Sequence, residues 1–358
     1  MKIDLFLEFA SPPMARRRLA EVMEDGLAVV RAADELGFDA VWLAEHHFLG
    51  DYCNAASPDM LLAAMARETR RIKLGFGIVP LPIHDPVRVA ERLATLDLLS
   101  GGRVLWGVGR GVTVTELEGF GVDPANSREV FRQRFDELRD ILRTAGFTRA
   151  GKHYQLRPPP DARLGTGWLA AVSPGSFDLA AELGLNVMAG PFKPWPFVKA
   201  DLARYRRLVS RSSGAAGRST SFTFALYCEE DHEAARARAE PGLVWGYRKI
   251  LEISRPLLTR QISGYEHYRK LGRLAPLLDK VLTLPVLETM GLAAVGEPDH
   301  VARRLAALQR SGLDRVSLLI GGGDLDVKHT VRCLQLLAER VVPLLEAPVG
   351  VSAEVAHA

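Results

Sequence analysis

Cysteine is scarce. Cys53, Cys228 and Cys333 are widely separated and odd in number, which argues against a disulfide framework. Long apolar runs are missing as well: no stretch approaches the roughly 18 uninterrupted apolar residues of a membrane-spanning helix. The opening MKIDLFLEF has no signal-peptide core, so a reduced, cytoplasmic protein is expected. Neither sign of charge dominates, since 46 basic and 43 acidic residues leave a net charge of +3. That is too weak a field to favour nucleic acid or an acidic membrane as partner. The densest basic run, Arg16 to Arg18, reads as the solvated start of a helix.

What the chain does have is alternation. Its 358 residues are 47% hydrophobic and 25% charged, ordinary for a globular protein of one large or two smaller domains. Short apolar runs occur at Lys2–Ala10, Ala40–Leu43, Ile72–Val79, Val104–Val108, Trp168–Val172, Asn186–Ala189, Ser221–Cys228 and Arg315–Ile320. Between them apolar residues recur at helical spacing: Leu19 to Leu36 closed by Gly37, Pro58–Arg70 with Met60, Leu61, Ala64 and Met65 inward, Pro86–Leu99, and the strongly amphipathic Val130–Leu142. Helices are also expected at Phe177–Leu183, Phe197–Leu208, Asp299–Leu308 and Val327–Leu345. Near-continuous apolar runs suit parallel strands covered on both faces, and eight right-handed strand–helix units close into a (β/α)8 TIM barrel. A doubly wound open sheet is the alternative. Residues 1–346 are expected to form one barrel domain with a helical insertion at about 231–290, followed by a tail, 347–358. Val112–Ser127 reads as a long polar connection, and Gly151–Gly167 as a proline- and glycine-rich excursion.

Chemistry in a parallel barrel gathers at the carboxyl ends of its strands. The stretch Gly37–Phe48, GFDAVWLAEHHF, ends there on Glu45-His46-His47. Alternation puts Glu45 and His47 on one face and His46 on the other. Metal ligands on a helix come as His-x-x-x-His, whereas adjacent residues diverge, so no metal is expected; a histidine satisfied by backbone carbonyls or a catalytic histidine titrating near neutrality both fit. Gly107-Val-Gly-Arg-Gly111 follows the fourth strand, where Arg110 offers a donor fork between glycines; phosphate binding and a plain turn both remain open. Ser173 and Ser176 follow the fifth strand at the start of a helix, an anion site or simple capping. Glycines inside the third strand, Gly75 and Gly77, mark either a bulge or close approach to a ligand, or small residues in a crowded barrel interior.

These motifs, in this order, resemble the bacterial luciferase family of flavin-dependent monooxygenases, nearest in pattern to its catalytic alpha subunit. The likeness covers Lys2 to about Leu345 and is dense from Gly37 to Arg128: GFDAVWLAEHHF, LP-x3-PVR at Leu81–Arg88, LD-x2-S-x-GR at Leu96–Arg103, G-x2-RG at Gly107–Gly111 and FGVD-x3-SR at Phe120–Arg128. It implies a luciferase-like barrel, a dimer, and a two-component monooxygenase. A separate flavin reductase would supply reduced FMN, and O2 would form a flavin hydroperoxide that oxygenates a hydrophobic organic substrate. The resemblance makes His46 the catalytic histidine. It assigns the FMN phosphate to Arg110, Ser173 and Ser176, places a non-proline cis peptide at Gly77-Ile78 behind the flavin ring, and sets Trp245 near the flavin. Gly109 stands where the family pattern has cysteine and Val172 where it has glutamate, both beside the cofactor. A pocket wall of Phe48, Trp106, Phe192, Trp195 and Trp245–Pro285 would suit an apolar molecule. Deazaflavin-dependent hydride transfer, a non-catalytic flavin-binding subunit and a sugar-phosphate barrel enzyme are the competing functions.

Overall fold

The computed structural model describes residues 1–111, 113–211, 217–259, 281–321 and 324–346. Eight parallel strands close a barrel in the order β1 (Lys2–Leu7), β2 (Ala40–Leu43), β3 (Lys73–Pro80), β4 (Val104–Gly109), β7 (Trp168–Ala171), β8 (Asn186–Ala189), β9 (Thr220–Cys228) and β11 (Arg315–Ile320), the last pairing back to β1. The eight expected runs are these eight strands: β2, β8 and β11 at the expected bounds, β3, β4, β7 and β9 shifted by one residue, and β1 ending three residues early at Leu7. The open-sheet alternative is excluded by the β1–β11 and β8–β9 pairings. Three strands lie outside the expectation. β5 (Gly146–Arg149) and β6 (Lys152–Gln155) form an antiparallel hairpin. β10 (Ala293–Gly296) continues the edge of β9 from Ala225 onward, beyond the point where the β8 pairing ends at Phe222.

Local chemistry explains the helices. α1 (Leu19–Leu36) stops at Gly37, whose φ of 86° closes the last turn by donating to Ala33 and Asp34 carbonyls. α2 (Pro58–Glu68) and α3 (Pro86–Ser100) each begin with proline, and Asp85 caps α3 by accepting from the Val87 N–H. One face was misassigned: in α2 the buried residues are Pro58, Leu62, Met65 and Ala66, while Met60 is 72% exposed. The sequence pattern allowed either stripe, because apolar residues line most of that helix. α4 (Val114–Gly119) and the long α5 (Ser127–Thr144) follow β4, α6 (Pro174–Leu183) follows β7, α7 (Trp195–Ser210) follows β8, and α8 (His232–Thr259) follows β9. The polar connection at 112–127 thus contains a helix. Residues 260–280 of the expected insertion and the tail 347–358 lie outside the described residues. No helix among those described is long and apolar enough to cross a membrane.

The interior is sealed at the amino end by a polar plug. Arg315 donates two hydrogen bonds to Asp4, at 2.8 and 2.6 Å, and also pairs with Asp39; the Trp42 indole donates to Asp4 at 2.9 Å. Asp4, Arg315 and Trp42 are buried and Asp39 half-buried, so the pairing satisfies charges that would be costly alone. Gly75 faces the Trp42 ring so closely that a Cβ there would overlap it. The crowded-interior explanation therefore accounts for Gly75. At Gly77-Ile78 the peptide bond is cis, and the β3–β4 register shifts between Phe76 and Val79. Cys53, Cys228 and Cys333 are all free and buried.

Candidate active site

The sequence Ala44–His47 leaves β2 at the barrel's carboxyl end and keeps the alternation of an extended chain. Glu45 and His47 meet, with His47 Nε2 3.2 Å from Glu45 Oε1, and His46 turns the other way. His84, held in the loop after β3, reaches the same Glu45 oxygen. That loop is fixed by Arg134 of α5, which donates to the carbonyls of Leu81, Pro82 and His84 at 3.2, 3.0 and 2.8 Å.

His46 is gripped by Glu116 of α4. Nδ1 lies 3.0 Å from Glu116 Oε1, and that oxygen also accepts the backbone N–H of His47 at 2.7 Å. The Thr113 hydroxyl donates to the other oxygen of Glu116. A carboxylate only accepts, so the proton sits on Nδ1 and leaves Nε2 as the atom that gains and loses one. Burial opposes charging of His46, but the hydrogen bond and charge of Glu116, with the charges of Glu8 and Glu45, outweigh it and raise the pKa above the ordinary histidine value. Burial likewise opposes ionisation of Glu116, yet its bonds to His46, Thr113 and the His47 N–H hold its carboxyl below the usual range. Glu45 is lowered in the same manner: burial is overcome by His47 and His84.

A cleft of about 970 Å³ opens over this end of the barrel, in the size range of cofactor and ligand sites. His46, Glu8, Glu45 and Glu116 line one part of it, with Gly77, Ile78 and Gly109 beside them. Gly107 and Gly109 of β4 leave room for the Ile78 side chain: a Cβ on either would come within 2.8 Å of it. Arg110, Val172, Ser173, Gly175 and Ser176 line another part, where α6 begins. The Ser176 hydroxyl donates to the Ser173 carbonyl at 2.6 Å and accepts the Val172 N–H at 3.0 Å. The N-terminus of this ten-residue helix, with the Ser173 hydroxyl and Arg110 lining the same cleft, is of a kind that could hold an anion such as a phosphate. The Thr223 hydroxyl, 1% exposed, also lines the cleft and has no hydrogen-bond partner among the described residues.

Of the residues singled out in the sequence, His46, Gly77, Ile78, Gly109, Arg110, Val172, Ser173 and Ser176 come together around this one cleft. Trp245 does not line it; it is half-buried on α8. The expected pocket wall is also corrected. Phe192 lines the cleft, but Phe48 is 64% exposed and packs on Phe120, Trp106 is buried against Gly167, and Trp195 packs on Phe222. Glu8, His84 and Glu116 went unnoticed. Glu116 had a signal, since Thr113-Val-Thr-Glu116 has the form of a capping box. Among the described residues, two clusters bring carboxylate and imidazole atoms within 4.8 Å of one another, Glu45–His47–His84 and His232–Glu297–His300. In the first, both imidazoles are engaged on one Glu45 oxygen.

Comparison with known proteins follows the same line. The family model described as luciferase-like monooxygenase matches residues 1–315. Limonene 1,2-monooxygenase of Rhodococcus erythropolis is 28% identical over 337 residues, covering 90% of this chain and 82% of its own. The solved structures that share the fold include these two. The oxygenating constituent of 3,6-diketocamphane monooxygenase from Pseudomonas putida, in complex with FMN, superposes with a TM-score of 0.75 at 19% identity over 96% of this chain and 98% of its own. An F420-dependent secondary alcohol dehydrogenase superposes with a TM-score of 0.67 at 16% identity, again over 96% and 98%.

Proposed function

From the premise that this chain belongs to the luciferase-like monooxygenase family, we propose that it is the oxygenase of a two-component system, taking reduced FMN from a separate reductase and using O2 to oxygenate a hydrophobic organic substrate. The observation that carries this reading is the joint presence, in one cleft, of a carboxylate-held imidazole and a phosphate-matching helix N-terminus. The curated relative named for limonene oxygenation and the FMN complex of the structural neighbour support it.

Arg110, Ser173 and Ser176 would hold the FMN phosphate, and Gly77 and Ile78 would back its ring. Bound there in reduced form, FMN supplies the electrons that activate dioxygen. The chain's own residues do the rest. Glu116 fixes the His46 ring and its tautomer, and His46 Nε2 holds or delivers one proton at the cleft wall. Phe6, Leu169, Met188 and Phe192 form apolar walls that limit water at the reacting centre.

His46→Ala tests the assignment. With a flavin reductase, NADH, FMN and limonene-like terpenes or small polycyclic aromatics offered as substrates, wild type is expected to form oxygenated product. The variant is expected to bind reduced FMN as wild type does and to lose product by about 100-fold or more, the usual contribution of a positioned acid–base group. Equal product from both proteins would remove His46 from the mechanism.

A further inference from the structure

We infer that Glu8 is a substrate-recognition residue whose carboxyl engages a hydroxyl on an otherwise apolar substrate, so that the chain selects phenols and alcohols over their ethers. This rests on the oxygenase reading above, because it treats the space beside His46 as the substrate's.

Glu8 lies one residue beyond the end of β1 and lines the same cleft as His46. The cleft it shares with His46 carries apolar side chains, Phe6, Leu169, Met188 and Phe192, as well as polar ones, so a substrate with an apolar body can be seated there while Glu8 meets a polar group on it. The chain holds it rigidly. Tyr52, 2% exposed, donates its hydroxyl to Glu8 Oε1 at 2.6 Å. The Asn54 N–H donates to the Glu8 carbonyl at 3.2 Å, and the Asn54 amide donates to the Phe9 carbonyl at 2.7 Å and to Ser11 Oγ at 3.1 Å. Phe9 adopts a φ of 51°, unusual for a bulky residue, and its ring is 6% exposed, filling space that Gly26 leaves by lacking a Cβ. Backbone kept in such a conformation is found where a side chain must be presented accurately.

Comparison with Glu45 and Glu116, the cleft acids bonded to the histidines, sharpens the point. Glu116 receives Thr113, His46 and the His47 N–H, and Glu45 receives two imidazoles on Oε1 while its Oε2 is buried without a partner among the described residues. Among the described residues, the Glu8 carboxyl receives only the Tyr52 phenol. A carboxyl can accept about four hydrogen bonds, so Glu8, half-buried on the cleft wall, keeps capacity for a donor that enters the cleft. Burial accordingly lifts the Glu8 pKa, with the Tyr52 bond and the His46 charge pulling the other way. A hydroxyl completes the site in either state, because it donates to a carboxylate and accepts from a carboxylic acid. An ether cannot donate, and a site built around a hydroxyl rejects analogues that lack it.

The test uses 1-naphthol and 1-methoxynaphthalene as probes at pH 8, with binding read from ligand fluorescence for wild type, Glu8→Gln and Glu8→Leu. Circular dichroism checks that each variant is folded. Wild type is expected to prefer 1-naphthol by roughly ten-fold or more. Glu8→Leu is expected to bring the ratio close to one, and Glu8→Gln, which still accepts through its amide oxygen, to keep an intermediate preference. Equal affinities in wild type, a preference that survives Glu8→Leu, or binding of neither probe would each overturn the inference. Because no flavin is added, the outcomes separate: discrimination without FMN-dependent turnover faults the oxygenase reading, and turnover without discrimination faults Glu8 alone.

Discussion

His46 owes its properties to a residue seventy positions away. Glu116 lifts the His46 pKa and is itself depressed, and both shifts bear on stability. A raised histidine stabilises the fold fully below its unfolded value of about 6.5, and that contribution is lost as pH rises through the raised value. The depressed Glu116 contributes above its ordinary carboxylate range and loses that contribution as pH falls through its lowered value. Glu116→Gln is therefore expected to cost about 1–3 kcal/mol between those limits, near pH 6, and less as pH climbs past the raised His46 value. Thermal melting of both proteins from pH 5 to 9 checks this; a gap that stays constant with pH would mean that Glu116 acts by packing alone. At this scale the sequence was legible where chemistry is contiguous. Glu45, His46 and His47 adjoin on one strand end, and Arg110 stands between glycines. Glu8 and His84 lie on separate loops and Glu116 on α4, and only the closed barrel brings them to His46.

Among the elements, the β3–β4 pair carries the most site-specific packing. A Cβ on Gly107 would meet the Phe76 carbonyl oxygen at 2.8 Å as well as Ile78, whereas one on Gly109 meets Ile78 and Ala170 side chains only. Backbone cannot yield as a side-chain tip can. Gly107→Ala is expected to destabilise by about 1–3 kcal/mol in urea unfolding, and Gly109→Ala by clearly less; the reverse order would show that β4 shifts freely against β3. The eight barrel strands were readable because each is a run of buried apolar residues between turn signals. The β5–β6 hairpin was not, since β6 is a four-residue strand exposed throughout, and β10 is Ala-Ala-Val-Gly, in which only Val295 favours a strand. Met60 was misread because α2 is apolar on more than one face; Leu62 and Ala66 won the core positions.

For the whole molecule, eightfold alternation was enough to give the barrel, since repeated right-handed strand–helix units leave few other ways to bury both faces of a parallel sheet. The cofactor is a harder matter for sequence or fold, because FMN-bound and F420-bound neighbours superpose on this chain over the same 96% of its length. On the proposed reading the choice rests on the end of the cleft lined by Arg110, Ser173 and Ser176. The most direct measurement is an anaerobic fluorescence titration with reduced FMN, run in parallel with reduced F420, on wild type and Arg110→Ala. The account predicts saturable binding of reduced FMN, weakened roughly ten-fold in Arg110→Ala by loss of a charge-assisted contact, and no comparable binding of F420. Saturable binding of F420 with none of FMN would contradict it.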